Sequence, residues 1–142
     1  MTSITAELVN GYQVEITNGT HTWQADEPVD LGGDDTGPNP YDLLLGSLAA
    51  CTSITLSMYT KRKGIDMSSL SVEYSYDKVH ADDCETCEDH HTGMIDRVTS
   101  RIFIDGNFDE DTRKRLIGIA QRCPVHKTLE KGIVFDETVW AG

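Results

Sequence analysis

Positive charge is scarce in this sequence: 12 lysines and arginines stand against 24 aspartates and glutamates, a formal charge of −12 over 142 residues. That balance opposes long-range attraction to phosphate backbones and anionic headgroups, so neither nucleic acid nor a membrane surface is an expected partner. Residues Met1 to Val14 contain no basic segment and no apolar run; no secretory signal is expected there, and the cytoplasm is the expected location. Cysteine is sparse, at four residues, and in a reducing compartment such cysteines are more often catalytic, metal-binding or buried than permanent staples. Internal repeats and low-complexity linkers are absent. Residues 1–142 are therefore expected to form one domain, a length that buries roughly 68–70% of the unfolded surface and needs no disulfide to fold.

Long uncharged runs are limited to Leu43–Thr60, which passes 18 residues without a formal charge and so invites comparison with a membrane span. Ser47, Thr52, Ser53, Thr55, Ser57 and Thr60 bring too many hydroxyls for hydrocarbon, and a helix buried in protein explains the run better. A helix uncharged all round needs cover on every side. One small chain has little material for that, so a second copy wrapping the helix, a homodimer, is expected. Helix signals bound the run: Asn39 as N-cap, Pro40 at the first helical position, Asp42 in the positive first turn, and Lys61-Arg62-Lys63-Gly64 as a basic last turn closed by glycine.

Before this helix, Val9–Trp23 alternates with β-branched and aromatic residues and breaks at Asn18-Gly19, a hairpin dipeptide, which predicts two or three strands. Pro28–Pro40 is dense in glycine, proline and aspartate and ends the sheet. Leu70–Val79 and Ile95–Ile104 alternate as half-buried strands, joined by the acidic stretch Asp82–His91, read as a loop. Asn107–Gln121 has helical spacing, Cys123-Pro124 opens a short helix over Val125–Lys131, and Ile133–Val139 is read as a last strand.

Two stretches stand out together: Gly37-Pro38-Asn39-Pro40-Tyr41-Asp42-Leu43-Leu44-Leu45-Gly46-Ser47-Leu48-Ala49-Ala50-Cys51 and Ala120-Gln121-Arg122-Cys123-Pro124-Val125-His126-Lys127-Thr128-Leu129. The first resembles the Pro-x-x-Leu-Leu…Ala-Cys central helix of the OsmC/Ohr family and the second its Cys-Pro-Val-His motif. The order of strands and helices between them fits too, and the resemblance covers essentially the whole chain. It implies an α+β, OsmC-like fold in which antiparallel sheets wrap around central helices in an intertwined dimer, with active sites at the subunit boundary. It also implies a reaction. Relatives reduce organic hydroperoxides with a peroxidatic cysteine, here Cys51, whose sulfenic acid condenses with a resolving cysteine, here Cys123. No cofactor is required, and a separate thiol serves as reductant.

The sequence departs from the family pattern at two positions. Relatives stabilise the reactive thiolate with an arginine on an N-terminal strand and a glutamate directly after the helix-opening proline; here the first arginine is Arg62, and Tyr41 follows Pro40. The alternative to a peroxidase is therefore a non-enzymatic member that binds a small apolar ligand or a metal at the dimer cleft, with Cys51 merely packing.

A thiolate rather than a thiol attacks a peroxide. Cys123 would cap the helix opened by Pro124, where unpaired N–H groups and the helix dipole favour an anion. Cys51 lies mid-helix among apolar neighbours, where burial raises its pKa. Its bland reading is a small core hydrophobe, since cysteine is among the most buried residue types. His126, three residues past Cys123, is either a thiolate-tuning neighbour or a surface or capping histidine, and Tyr41 either packs at the head of the helix or donates a proton. Asp42 sits about 100° further round the helix than Tyr41 and is expected to serve the helix dipole. His126, Arg122, Arg97 and Arg101 are the candidates to replace the absent helpers.

Cys84-x-x-Cys87, with His80 before it and His90 and His91 after it, has the gap that lets two sulfurs reach one zinc ion. Its acidic neighbours suit a cation better than a reactive thiolate. Cys84, Cys87 and His90 are the candidate zinc ligands, beside the readings of a redox pair and of a solvated acidic loop.

Overall fold

Alternation and turn chemistry shape the N-terminal residues into an antiparallel meander of β1 (Thr5–Asn10), β2 (Gln13–Thr17) and β3 (Thr22–Ala25), in the order β1-β2-β3. The second turn forms at the expected Asn18-Gly19, where the Asn18 side chain accepts the N–H groups of Thr20 and His21 at 3.0 and 2.7 Å and Gly19 adopts φ 91°. The first turn, at Gly11 with φ 58°, divides the sheet earlier than the alternation alone indicated. The computed structural model describes residues 1–85 and 92–140, and the chain divides into two compact units, Met1–Gly46 and Ser47–Gly142.

In the first unit the link from sheet to helix is organised by Asp26, 2% exposed. Its carboxylate accepts the backbone N–H groups of Glu27, Asp34 and Thr36 at 2.8, 3.2 and 3.1 Å, and the Thr36 hydroxyl at 2.8 Å. Gly33 is obligatory in this turn, because a Cβ there would lie 1.9 Å from the Glu27 carbonyl oxygen. Helix α1 (Pro40–Lys63) then opens on a reciprocal cap. The Asn39 side chain accepts the Asp42 N–H at 2.9 Å, while the Asp42 carboxylate accepts the Asn39 N–H at 3.1 Å. Asp42 is thus a capping partner as well as a charge at the positive end of the helix dipole.

By length and composition α1 is apolar enough to cross a membrane, with mean hydropathy 1.4 over its most apolar window. In the second unit it buries Leu48, Thr52, Leu56 and Thr60, spaced four apart on one stripe. Both buried hydroxyls are matched within the protein: Thr52 shares a hydrogen bond with the Tyr74 phenol at 2.9 Å, and Thr60 donates to the Ser57 carbonyl at 3.1 Å. The helix closes as a Schellman motif, in which Ile65 N–H donates to Thr60 O and Gly64, at φ 65°, donates to Lys61 O.

Strands β4 (Asp66–His80) and β5 (Met94–Asn107) form a long antiparallel ribbon with Leu70 opposite Ile104 and Tyr74 opposite Ser100. Both run several residues beyond the alternating segments, because paired backbone continues where side-chain periodicity fades. Helix α2 (Glu110–Ala120) is capped by Asp109, which accepts the Thr112 N–H at 2.8 Å. Helix α3 (Pro124–Lys131) follows. Leu56, Ile104, Leu116, Ile119 and Ala120 form the core, with Tyr59, Leu70, Ile102 and Phe108 packed around it. Helices and antiparallel sheets thus give the α+β class expected from the sequence.

The expected last strand is absent. Residues 132–140 have no regular secondary structure, and Val134, Phe135 and Trp140 are 94%, 76% and 91% exposed. β-branched and aromatic residues favour extended chain, but a strand exists only when its backbone finds a partner edge, and this segment has found none among the described residues.

Candidate functional site

The two cysteines singled out by the sequence meet at the N-terminal turn of α3. Pro124 occupies the first turn of α3 and needs no N–H partner there. Cys123 is the residue that caps it: its side chain is 0% exposed, and its Sγ accepts the His126 N–H at 3.4 Å. Cys51 projects from α1 toward the same turn and is half-buried. Its thiol is within interaction range of the Cys123 side chain, the Val125 backbone N–H and the Thr55 side chain, one helical turn further along α1. Cys51 and Cys123 are both free thiols.

These surroundings act on the Cys51 pKa in opposite directions. Burial is the largest influence and pushes it up; the neighbouring Cys123 side chain also raises it, both as a polar neighbour and by repulsion between the two sulfurs. The Val125 N–H and Thr55 pull it down by favouring the anion, but the balance leaves Cys51 above the ordinary cysteine value. None of these influences is a lysine or arginine side chain. The four candidate helpers are placed differently. Arg97 forms a two-pronged pair with Asp77 across the ribbon at 3.0 and 2.6 Å, and Arg101 approaches Glu73 at 3.9 Å. His126 contributes its backbone N–H, while its ring Nε2 lies 3.8 Å from Glu130. Arg122 lines a cleft described below. Tyr41 is exposed at the start of α1, and Asp42 is engaged in the cap.

Thr55 and the Val125 N–H were not singled out in the sequence. Thr55 was legible in principle, because position i+4 on a helix shares a face with Cys51. The Val125 N–H carries no residue signature and required the fold.

Two cavities are lined in part by chain neighbours of the two cysteines. One, of about 380 Å³, is lined by Leu48, Tyr74, Val98, His126 and Leu129, with Asp96 and Glu130 as its acidic members. The other, of about 650 Å³, reaches Thr55 and Pro124 and carries Lys61, Arg62 and Arg122. The first offers apolar space beside the residue one turn before Cys51, large enough for a small organic molecule.

The acidic loop is only partly described. Cys84 is buried and disulfide-bonded. Cys87, His90 and His91 lie outside the described residues. His80 accepts the Asp82 N–H at 3.2 Å. Among the described residues no group of three or more histidine, cysteine or carboxylate side chains converges as a metal site.

A family model described as OsmC-like protein matches residues 32–138. Among solved structures, an OsmC-like protein from Mycoplasma pneumoniae aligns with a TM-score of 0.71 at 23% identity, covering 92% of this chain and 87% of that one. An organic hydroperoxide resistance protein OsmC from Legionella pneumophila, also described as a predicted redox protein, gives 0.62 at 20% identity, covering 89% and 87%. An organic hydroperoxide resistance protein from Elizabethkingia anophelis gives 0.63 at 23% identity, covering 89% and 86%. At these identities the likeness is one of fold. None of the curated proteins matches the chain.

Proposed function

The chain belongs to the OsmC-like protein family, and from that premise we propose that it is a thiol-dependent peroxidase reducing organic hydroperoxides through Cys51 and Cys123. The observation that carries the reading is the meeting of these two free thiols at the N-terminal turn of α3, close enough for each to act on the other's charge. Cys51 is the more accessible of the two and is the attacking sulfur; Cys123, fully buried beside it, resolves. The Cys51 thiolate attacks the hydroperoxide, the O–O bond breaks, and the alcohol departs with a proton, leaving a sulfenic acid on Cys51. The Cys123 thiolate then attacks that sulfur and the hydroxyl leaves as water, forming the Cys51–Cys123 disulfide. Two equivalents of an external thiol restore both thiols. The apolar 380 Å³ cavity beside Leu48 and His126 is the space for the organic part of the peroxide.

The test is mass spectrometry after treatment with cumene hydroperoxide. An intramolecular disulfide is expected in the unsubstituted protein. Cys51→Ser should consume no peroxide, and Cys123→Ser should consume about one equivalent and stall as sulfenic acid or over-oxidise. A Cys51 that stays a free thiol under excess hydroperoxide, with the fold intact, overturns the reading. The raised Cys51 pKa favours one alternative: a binding protein in which the neutral thiol is packing and the cavity holds an unreacted ligand. That outcome would select it.

A further inference from the structure

Two asparagine–glycine pairs sit in the N-terminal meander: Asn10-Gly11 between β1 and β2, and Asn18-Gly19 between β2 and β3. A glycine carries no side chain to shield its amide nitrogen from the carboxamide before it, so both pairs are open to attack of backbone on side chain. By that local chemistry the two are equivalent. The fold makes them different.

Asn18 is held at both ends of the bond that would have to form. Its side-chain oxygen accepts the Thr20 and His21 N–H groups at 3.0 and 2.7 Å, and the Gly19 N–H donates to the Thr17 hydroxyl at 3.0 Å. That hydroxyl is itself anchored on the His21 carbonyl at 3.0 Å. Asn10 instead closes a two-residue turn opposite Gln13, with Gly11 at φ 58° as its first central residue. Among the described residues, neither the Asn10 side chain nor the Gly11 N–H has a hydrogen-bond partner. The β1–β2 register shifts between Leu8 and Asn10, and all six residues of β1, at the edge of the sheet, are exposed. The end of an exposed, irregular edge strand opens locally at little cost. Asn10 can thus turn its carboxamide onto Gly11, whereas Asn18 must first surrender its hydrogen bonds.

We propose that Asn10 is a site of modification, at which the side-chain amide is lost and an aspartate or isoaspartate takes its place in the β1–β2 turn. The reaction involves neither cysteine and needs only water. The Gly11 nitrogen attacks Cγ of Asn10 and loses its proton; the Cγ–Nδ2 bond breaks and ammonia departs, leaving a five-membered imide. Water then opens the ring at either carbonyl. Opening at Cγ restores the normal backbone with an aspartate, and opening at the main-chain carbonyl routes the chain through Cγ as isoaspartate. Nothing is oxidised or reduced. Each product adds one negative charge to the turn, and isoaspartate also adds a backbone carbon next to the Asn10–Gln13 pair, lengthening β1 against β2.

The experiment ages the folded protein at neutral pH and physiological temperature. Peptide mass spectrometry reads amide loss at each asparagine, and enzymatic carboxyl methylation reads isoaspartate. Asn10 should convert at least about fivefold faster than Asn18, the factor by which releasing one ordinary hydrogen bond thins a population. The difference should vanish in urea, where neither turn exists. Thr17→Val, which frees the Gly19 N–H, should speed conversion at Asn18 and leave Asn10 unchanged. Asn10→Gln should remove most of the isoaspartate formed by the folded protein, a readout that does not depend on the Thr17 variant folding. A smaller ratio in the folded protein overturns the proposal. So does a ratio that persists in urea, which would place its cause in the neighbouring residues rather than in the fold, and so does an Asn18 rate that Thr17→Val leaves untouched in a folded protein.

Discussion

The thiol of Cys51, on the long helix, lies beside the sulfur of Cys123, the cap of the short one. Two residues 72 positions apart thereby share one turn, in an environment that favours the neutral form of the first of them. Burial and the Cys123 contact raise the Cys51 pKa, so the fraction of thiolate at neutral pH is smaller than for a free cysteine.

The pH dependence follows from that direction. Peroxide consumption should still be rising with pH at about 8.5, the ordinary cysteine value, instead of levelling off below it. Stopped-flow rates across pH 6–10 measure this, and a plateau below about pH 8 would contradict it. Stability has the matching sign. A group whose folded pKa is raised contributes stability that is present below its unfolded pKa and is lost as pH rises through the folded one. The unsubstituted protein should therefore lose stability above about pH 8.5 relative to Cys51→Ser, as read by thermal melts of both proteins.

The hydrogen bond between Thr52 and Tyr74 gives a stability prediction. Thr52 is fully buried, and its hydroxyl meets the Tyr74 phenol at 2.9 Å. Thr52→Val keeps the shape of the side chain and removes that partner, which should cost about 1–2 kcal/mol in urea unfolding. A change below about 0.3 kcal/mol would mean that water replaces the hydroxyl at Tyr74.

How far the sequence could be read varies with the range of the interactions involved. Helix α1 was legible to within a residue, because Asn39, Pro40 and Gly64 mark its ends by local chemistry. Cys123 as a helix cap was legible for the same reason. The opposite held for Arg97 and Arg101, whose placement depends on the register of β4 with β5 and which are turned to Asp77 and Glu73 rather than to Cys51. Asp26 was not foreseen, because nothing in its neighbours announces that a carboxylate will gather three backbone N–H groups. The strand expected at Ile133–Val139 failed because strand formation needs an edge that lies outside the segment itself.

Asp26 provides a second pH prediction, of opposite sign to that of Cys51. The Thr36 N–H lowers its pKa most, burial opposes this, and the Glu27 N–H, the Thr36 hydroxyl and the Asp34 N–H lower it further. A depressed folded pKa contributes stability above the unfolded value of about 3.9, lost as pH falls through the folded one. Asp26→Asn should destabilise the first unit at neutral pH and flatten its response to acid below about pH 4. Hydrogen exchange of the Asp34 and Thr36 amides is the local readout. Unchanged protection of those amides at neutral pH would show that the carboxylate does not hold the loop.

The last prediction concerns the surface that the chain leaves uncovered. Ile54 and Met58 on α1 are 59% and 67% exposed, and the segment through Ile133, Val134, Phe135, Val139 and Trp140 is largely open to solvent as well. Large apolar side chains left this exposed are the material of an interaction surface. A segment of strand-forming composition without an edge also gains backbone partners if another chain supplies them. A homodimer that uses the C-terminal segment satisfies both requirements. Light scattering at micromolar concentration should give twice the 15.7 kDa chain mass. Removal of residues 133–142 should shift the protein toward monomer while circular dichroism retains the helical signal of α1 and α2. A full-length protein that is monomeric and folded would remove the dimer. A truncated protein that remains fully dimeric would place the interface on α1 alone.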